Sequence, residues 1–257
     1  MSNTTRVDAT KYLAAVLAGA TMLVASVTNA AMAQPTAGAS QVAAGGEQTL
    51  SLKQQAIAPI SAATAVGDIP KLTLALNQGL DAGLTLSETK EILVQMYAYA
   101  GFPRSLNALG ELMKVADARK QRGVQDAPGR EPGPVPKGQA LLELGTANQT
   151  KLIGAPARGP LFDFSPAIDE YLKAHLFGAM FARDNLDWQS RELATVGALA
   201  ALSGVESQLQ SHVGFSMNVG LTNAQLRQLA DVLAQRGYPE AAERARAAIA
   251  QVEAAKK

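Results

Sequence analysis

Two histidines are the only imidazoles in this chain, and one of them stands among groups that could move a proton. His212 lies in the stretch SGVESQLQSHVGFSMNVGLT, residues 203–222. Gln208 stands four residues before it and Ser216 four after, so the three share one face of a helix. Val205, Leu209 and Val213 mark the other side. An imidazole beside a carboxylate is a proton shuttle near neutral pH, and Glu192 is the carboxylate able to hold its tautomer and stabilise its cation. A core histidine satisfied by one hydrogen bond is the competing reading, and the residues leave both open. The stretch HLFGAMFARDNLDWQSRE (175–192) adds His175, Arg183, Asp184, Asp187 and Arg191. Asp187 fits the cap of a helix that begins near Trp188. Arg183 and Arg191 are suited to gripping a carboxylate, because a guanidinium matches that fork of oxygens; surface salt bridges are the alternative. His175 and His212 are far apart and lack short-spaced partners, so no metal-ligand set is expected. The chain has no cysteine, which removes disulfides, thiolate nucleophiles and peroxidatic thiols.

These groups need a scaffold, and the composition points to helices: alanine and leucine are abundant and aromatics sparse. Lys and Arg number 23 against 22 Asp and Glu, so no basic stripe invites nucleic acid. Residues 1–33 read as an export leader. Arg6 and Lys11 precede the apolar run YLAAVLAGATMLVASV, and a small-x-small site ends at Ala33. A membrane anchor is the alternative, but the run is shorter than the roughly 20 residues a span needs. The expected location is therefore outside the cytoplasm, periplasmic in a Gram-negative source. Residues 34–49 read as a flexible lead-in. Residues 50–121 carry four helical patterns: LSLKQQAIAPISAATAV with a possible bend at Pro59, DIPKLTLALNQGLDAG, LTLSETKEILVQMYAYAG capped by Thr85 or Ser87, and FPRSLNALGELMKVADARKQRG. Residues 122–160, rich in Gly and Pro, read as a long surface connection. Residues 161–257 form a second helical run.

The two runs are related. GDIPKLTLALNQGLDAGLT from Gly67 and GVESQLQSHVGFSMNVGLT from Gly204 align without a gap, an offset of 137 residues. One residue's shift brings GFPRSLNAL (101–109) onto GYPEAAERA (237–245), so a helical unit is duplicated. Where the second copy has Arg191, Glu192, Gln208 and His212, the first has Gln54, Gln55, Lys71 and Ala75. The expectation is a polar site in the second half and a first half that is mainly scaffold.

SRELATVGALAALSGVESQLQSHVGFSMNVGLTNAQLRQLADVL resembles the carboxymuconolactone decarboxylase family. The shared features are an Arg-Glu helix start, a His about 20 residues on and an N-x-G-[LA]-T stretch. ETKEILVQMYAYAGFPRSLNAL is similar to the closing part of the same unit, with its Y-x-G-x-P stretch. The resemblance implies an all-α chain of two tandem units in an oligomeric helical ring, a trimer being favoured. The alkylhydroperoxidase D-like branch carries cysteines seven and four residues before the histidine, where this chain has Val205 and Gln208, so thiol peroxidase activity is not expected. The decarboxylase branch implies His212 as acid/base with Glu192 and Arg191 as partners. Arg183, Gln208 and His175 would then hold a small carboxylated lactone or related acid, without cofactor. A non-catalytic ring-forming binding protein of the same fold is the alternative, and a thiol-independent peroxide-related activity a more distant one.

Overall fold

A computed structural model of the chain describes residues 49–255, and among them there is no strand. The leader and most of the lead-in fall outside the described residues. The first unit is α1 (Leu52–Val66), α2 (Ile69–Asp81), α3 (Leu86–Gln95) and α4 (Tyr97–Gln121). The second is α8 (Trp188–Ala201), α9 (Glu206–Asn218), α10 (Asn223–Gln235) and α11 (Pro239–Ala255). The duplication survives in the helix boundaries, since α2 and α9 coincide at the 137-residue offset.

Local chemistry sets those boundaries. Thr85 caps α3 and Thr222 caps α10, each closing a reciprocal box with Glu88 or Gln225. Ser51 does the same for α1 with Gln54, and Asp187 caps α8 by accepting from the Ser190 N–H at 2.8 Å. Gly67 and Gly204 close the first turns of the two units at φ 73° and 80°, a left-handed backbone that costs glycine nothing. Gly101, at φ 82°, bends α4 just before Pro103. The third sequence pattern thus divides at Met96, and its last turn belongs to α4. Pro59 lies inside α1 without ending it.

α1 and α8 cross at the centre and join the two units. Both are buried on nearly all sides, which explains why neither shows a polar face. Small residues make the crossing close: a Cβ on Gly197 would lie 2.5 Å from Ser61 Oγ and 2.8 Å from both Cα and O of Ala58. Around this axis α1 packs on α2 and α4, and α8 on α9 and α11, so each unit repeats the other's arrangement.

The span 122–160 is not wholly a surface connection. Residues 124–137 carry no helix, but α5 (Gln139–Ile153) forms between Gly138 and Gly154. Its Leu152 is fully buried in a second apolar cluster with Leu176, Phe177, Met180 and Phe181. α6 (Pro160–Phe164) and α7 (Pro166–Tyr171) lead into a π-helical segment, Leu172–Met180, against which α5 packs. The contact is tight, since a Cβ on Gly145 would lie 1.8 Å from Lys173 O. The flanking glycines and prolines that suggest a linker are helix punctuation here.

Candidate functional site

His212 and Glu192 meet. The imidazole Nδ1 lies 2.8 Å from Glu192 Oε2, with Glu192 on α8 fully buried and His212 on α9 8% exposed. The carboxylate therefore holds the ring's orientation through Nδ1, and Nε2 is the ring's second nitrogen. Two aromatic rings box the imidazole edge-on. Phe215, from the same helix, has its centroid 5.1 Å away, and Tyr99, from the first turn of α4, 5.6 Å. Burial, then the charge of Glu192, pushes the Tyr99 phenol far above its usual range, with the Thr195 hydroxyl and Arg191 acting against the rise. The hydroxyl is thus a donor at any neutral pH. Among the described residues, Glu192 Oε1 and Arg191 Nε are buried without a hydrogen-bond partner, and Tyr99 Oη has only the weak contact with the Thr195 hydroxyl. An unpaired buried polar atom costs about 1–3 kcal/mol, so Glu192 Oε1, on the carboxylate that holds the imidazole, marks a place where a ligand's donor is favoured.

Arg191 follows another course, although it precedes Glu192 in sequence. Its guanidinium is fully buried and donates to Gln95 Oε1 at 3.0 Å, Glu91 Oε1 at 2.9 Å and the Arg183 carbonyl at 2.6 Å. Burial pulls its pKa below the usual value, and the charge and hydrogen bond of Glu91 pull the other way. Arg183 Nε donates to both oxygens of Glu91 at 2.9 Å. Gln95 Nε2 donates to the Arg191 carbonyl and to Thr195 Oγ1, each at 2.9 Å. Both arginines are therefore engaged by α3, and neither guanidinium points a free fork at His212. Arg191 Nε alone of its nitrogens has no hydrogen-bond partner, and the guanidinium carbon lies 5.8 Å from the Phe181 ring centroid.

Gln208 shares α9 with His212, but its side chain is exposed and accepts a hydrogen bond from Ser207 Oγ at 2.9 Å. His175 is exposed on the π-helical segment, its Nδ1 3.4 Å from the Tyr97 hydroxyl and its ring edge-on to Tyr171. Of the six residues singled out by the sequence, the structure pairs His212 with Glu192, diverts Arg191 and Arg183 to Glu91, and leaves Gln208 and His175 outside. Three residues that sequence reasoning treated as scaffold, Tyr99, Glu91 and Gln95, come from the first unit. The signal for Tyr99 was present in the YAGFP stretch, which could be read as a functional tyrosine as well as a helix bend. Among the described residues, no group of three or more His, Asp or Glu side chains comes together as a metal site.

A search of curated proteins finds no significant match to the chain. The family model for the carboxymuconolactone decarboxylase family matches residues 29–113 and, a second time, residues 166–254. The two matches reproduce the duplication seen in sequence and helices, and the chain belongs to the carboxymuconolactone decarboxylase family.

Proposed function

We propose that the chain is a cofactor-free lyase acting on a small carboxylated lactone or related acid, with His212 as the acid/base group. The observation that carries this reading is the buried Glu192–His212 pair at 2.8 Å, walled by Tyr99 and Phe215. In 4-carboxymuconolactone the bond to the departing carboxylate breaks, carbon dioxide leaves, and the electron pair spreads toward the lactone carbonyl. The Tyr99 hydroxyl, beside the imidazole, is a preplaced donor for that developing charge. His212, protonated and steadied by Glu192, then delivers a proton to carbon and is reprotonated from solvent. The substrate supplies its own electron sink, so the reaction asks for no cofactor. Export through the leader and assembly into a homo-oligomer, a trimer favoured, belong to the same proposal. Support for assembly is the apolar surface left on α4, where Phe102, Leu106 and Met113 are each more than 60% exposed. A monomer by light scattering would remove that part.

A second reading, a binding protein without turnover, is favoured by one observation. Arg183 and Arg191 are both held on Glu91, so neither grips a substrate carboxylate beside His212. Carbon dioxide release from 4-carboxymuconolactone, measured with His212→Ala and Glu192→Gln alongside, tests both. Release by the wild type that His212→Ala abolishes supports the lyase. Binding of the lactone without release by any of the three proteins supports the second reading and refutes the first.

A further inference from the structure

The duplication gives each residue of the His212 site a counterpart 136 or 137 positions away. Glu192, His212 and Phe215 correspond to Gln55, Ala75 and Gln78 in the first unit, and in the register that aligns Gly101 with Gly237, Tyr99 corresponds to Gln235, the neighbour of Arg236. Gln55, Ala75 and Gln78, joined by Arg236, line a single groove of about 320 Å³ between α1, α2 and the turn after α10. The groove is thus the pseudo-symmetric partner of the His212 site, and its chemistry has been rewritten. Alanine in place of the imidazole leaves room where the active ring would stand. Gln55 in place of Glu192 takes away the negative charge. Arg236, next to the counterpart of the tyrosine, brings a guanidinium, which donates to Gln78 Oε1. Asp81 is the one carboxylate in the lining, and Arg119 Nη2 holds it at 2.8 Å. Ala56, Pro59 and Ala75 supply an apolar wall.

We propose that this groove is a non-catalytic binding site for a small organic carboxylate. The planar fork of Arg236 takes the carboxylate, and the amides of Gln55 and Gln78 satisfy its remaining lone pairs. The apolar wall takes the body of the ligand. Its volume lies at the lower end of the roughly 300–1,000 Å³ typical of small-molecule sites, which suits a single ring or a short chain. With neither imidazole nor a free carboxylate, the groove binds without performing acid/base chemistry. One chain therefore carries two related pockets, one equipped for proton transfer and one for recognition alone.

The test is a titration of the intact protein with benzoate, followed through the methyl resonance of Ala75 and by calorimetry. The expected result is a saturable shift at Ala75 that weakens at least tenfold in Arg236→Gln and persists in Glu192→Gln. Arg236 is exposed at a helix end, so its replacement leaves the fold intact. Benzoate that leaves Ala75 unmoved, or shifts it equally in Arg236→Gln, overturns the proposal. Shifts confined to residues around His212 do the same. The readout is binding alone, so it stands or falls separately from turnover at His212.

Discussion

Replacing Arg191 with methionine should cost stability rather than chemistry. Arg191 is fully buried, Glu91 is 1% exposed, and their closest atoms lie 2.9 Å apart. Removing one partner of a buried ion pair costs about 3–5 kcal/mol, because the remaining charge is left uncompensated. Here Arg183 still reaches Glu91 at 2.9 Å, and its side chain is 34% exposed, so Glu91 is not stranded. That places the expected loss near the lower end, about 3 kcal/mol. For a domain of this size, about 2–4 °C accompanies each kcal/mol, so the melting temperature should fall by about 6–12 °C. Urea unfolding followed by circular dichroism would show a lower midpoint with an unchanged slope. The double variant Arg191→Met/Glu91→Leu removes both charges and should recover more than half of the loss. Turnover per folded molecule should stay near that of the wild type. A stability loss under about 1 kcal/mol, the range of exposed pairs, together with abolished activity, would refute this account. It would return Arg191 to the substrate-contacting role expected from sequence.

Two further outcomes follow from the packing and the electrostatics. Gly197→Ala gains about 1 kcal/mol of helix propensity but drives a methyl into Ala58 Cα and O at 2.8 Å. Overpacking against backbone costs about 1–3 kcal/mol, so a thermal melt should show net destabilisation, and a rise in melting temperature would mean the α1–α8 crossing is loose. The Tyr99 phenol, raised by burial and by Glu192, contributes stability that is complete below the unfolded value of about 10 and is lost as pH rises above it. Tyr99→Phe should therefore flatten the alkaline fall in stability, and an unchanged profile between about pH 9 and 11 would show the hydroxyl is not buried as described.

What the sequence determined by itself is what depends on neighbours along the chain. The caps at Thr85 and Asp187 were legible because a side chain bonding an N–H three residues on needs no partner from elsewhere. The tandem helices were legible because the offset of 137 residues preserved the glycines on either side of α2 and α9, Gly67 and Gly83 against Gly204 and Gly220. The pairing of His212 with Glu192 was raised by the residue types themselves and again by the family resemblance, with a core histidine left as the competing reading. Only the tertiary structure decided where the other polar groups went. Adjacent residues on a helix point about 100° apart, so Arg191 and Glu192 face different neighbours despite their adjacency. Arg191 meets Glu91, 100 residues earlier, and no local pattern encodes that contact. The helix α5 was hidden because it lies in a Gly- and Pro-rich span and is stabilised mainly by what it packs on, here the π-helical segment, rather than by its own propensity. The largest departure was the role of the first unit. It was expected to be mainly scaffold, but the crossing of α1 and α8 brings Tyr99 of one unit against His212 of the other. The site is composite because the fold superposes two copies whose chemical groups have diverged, and divergence in one copy is meaningful only beside the other.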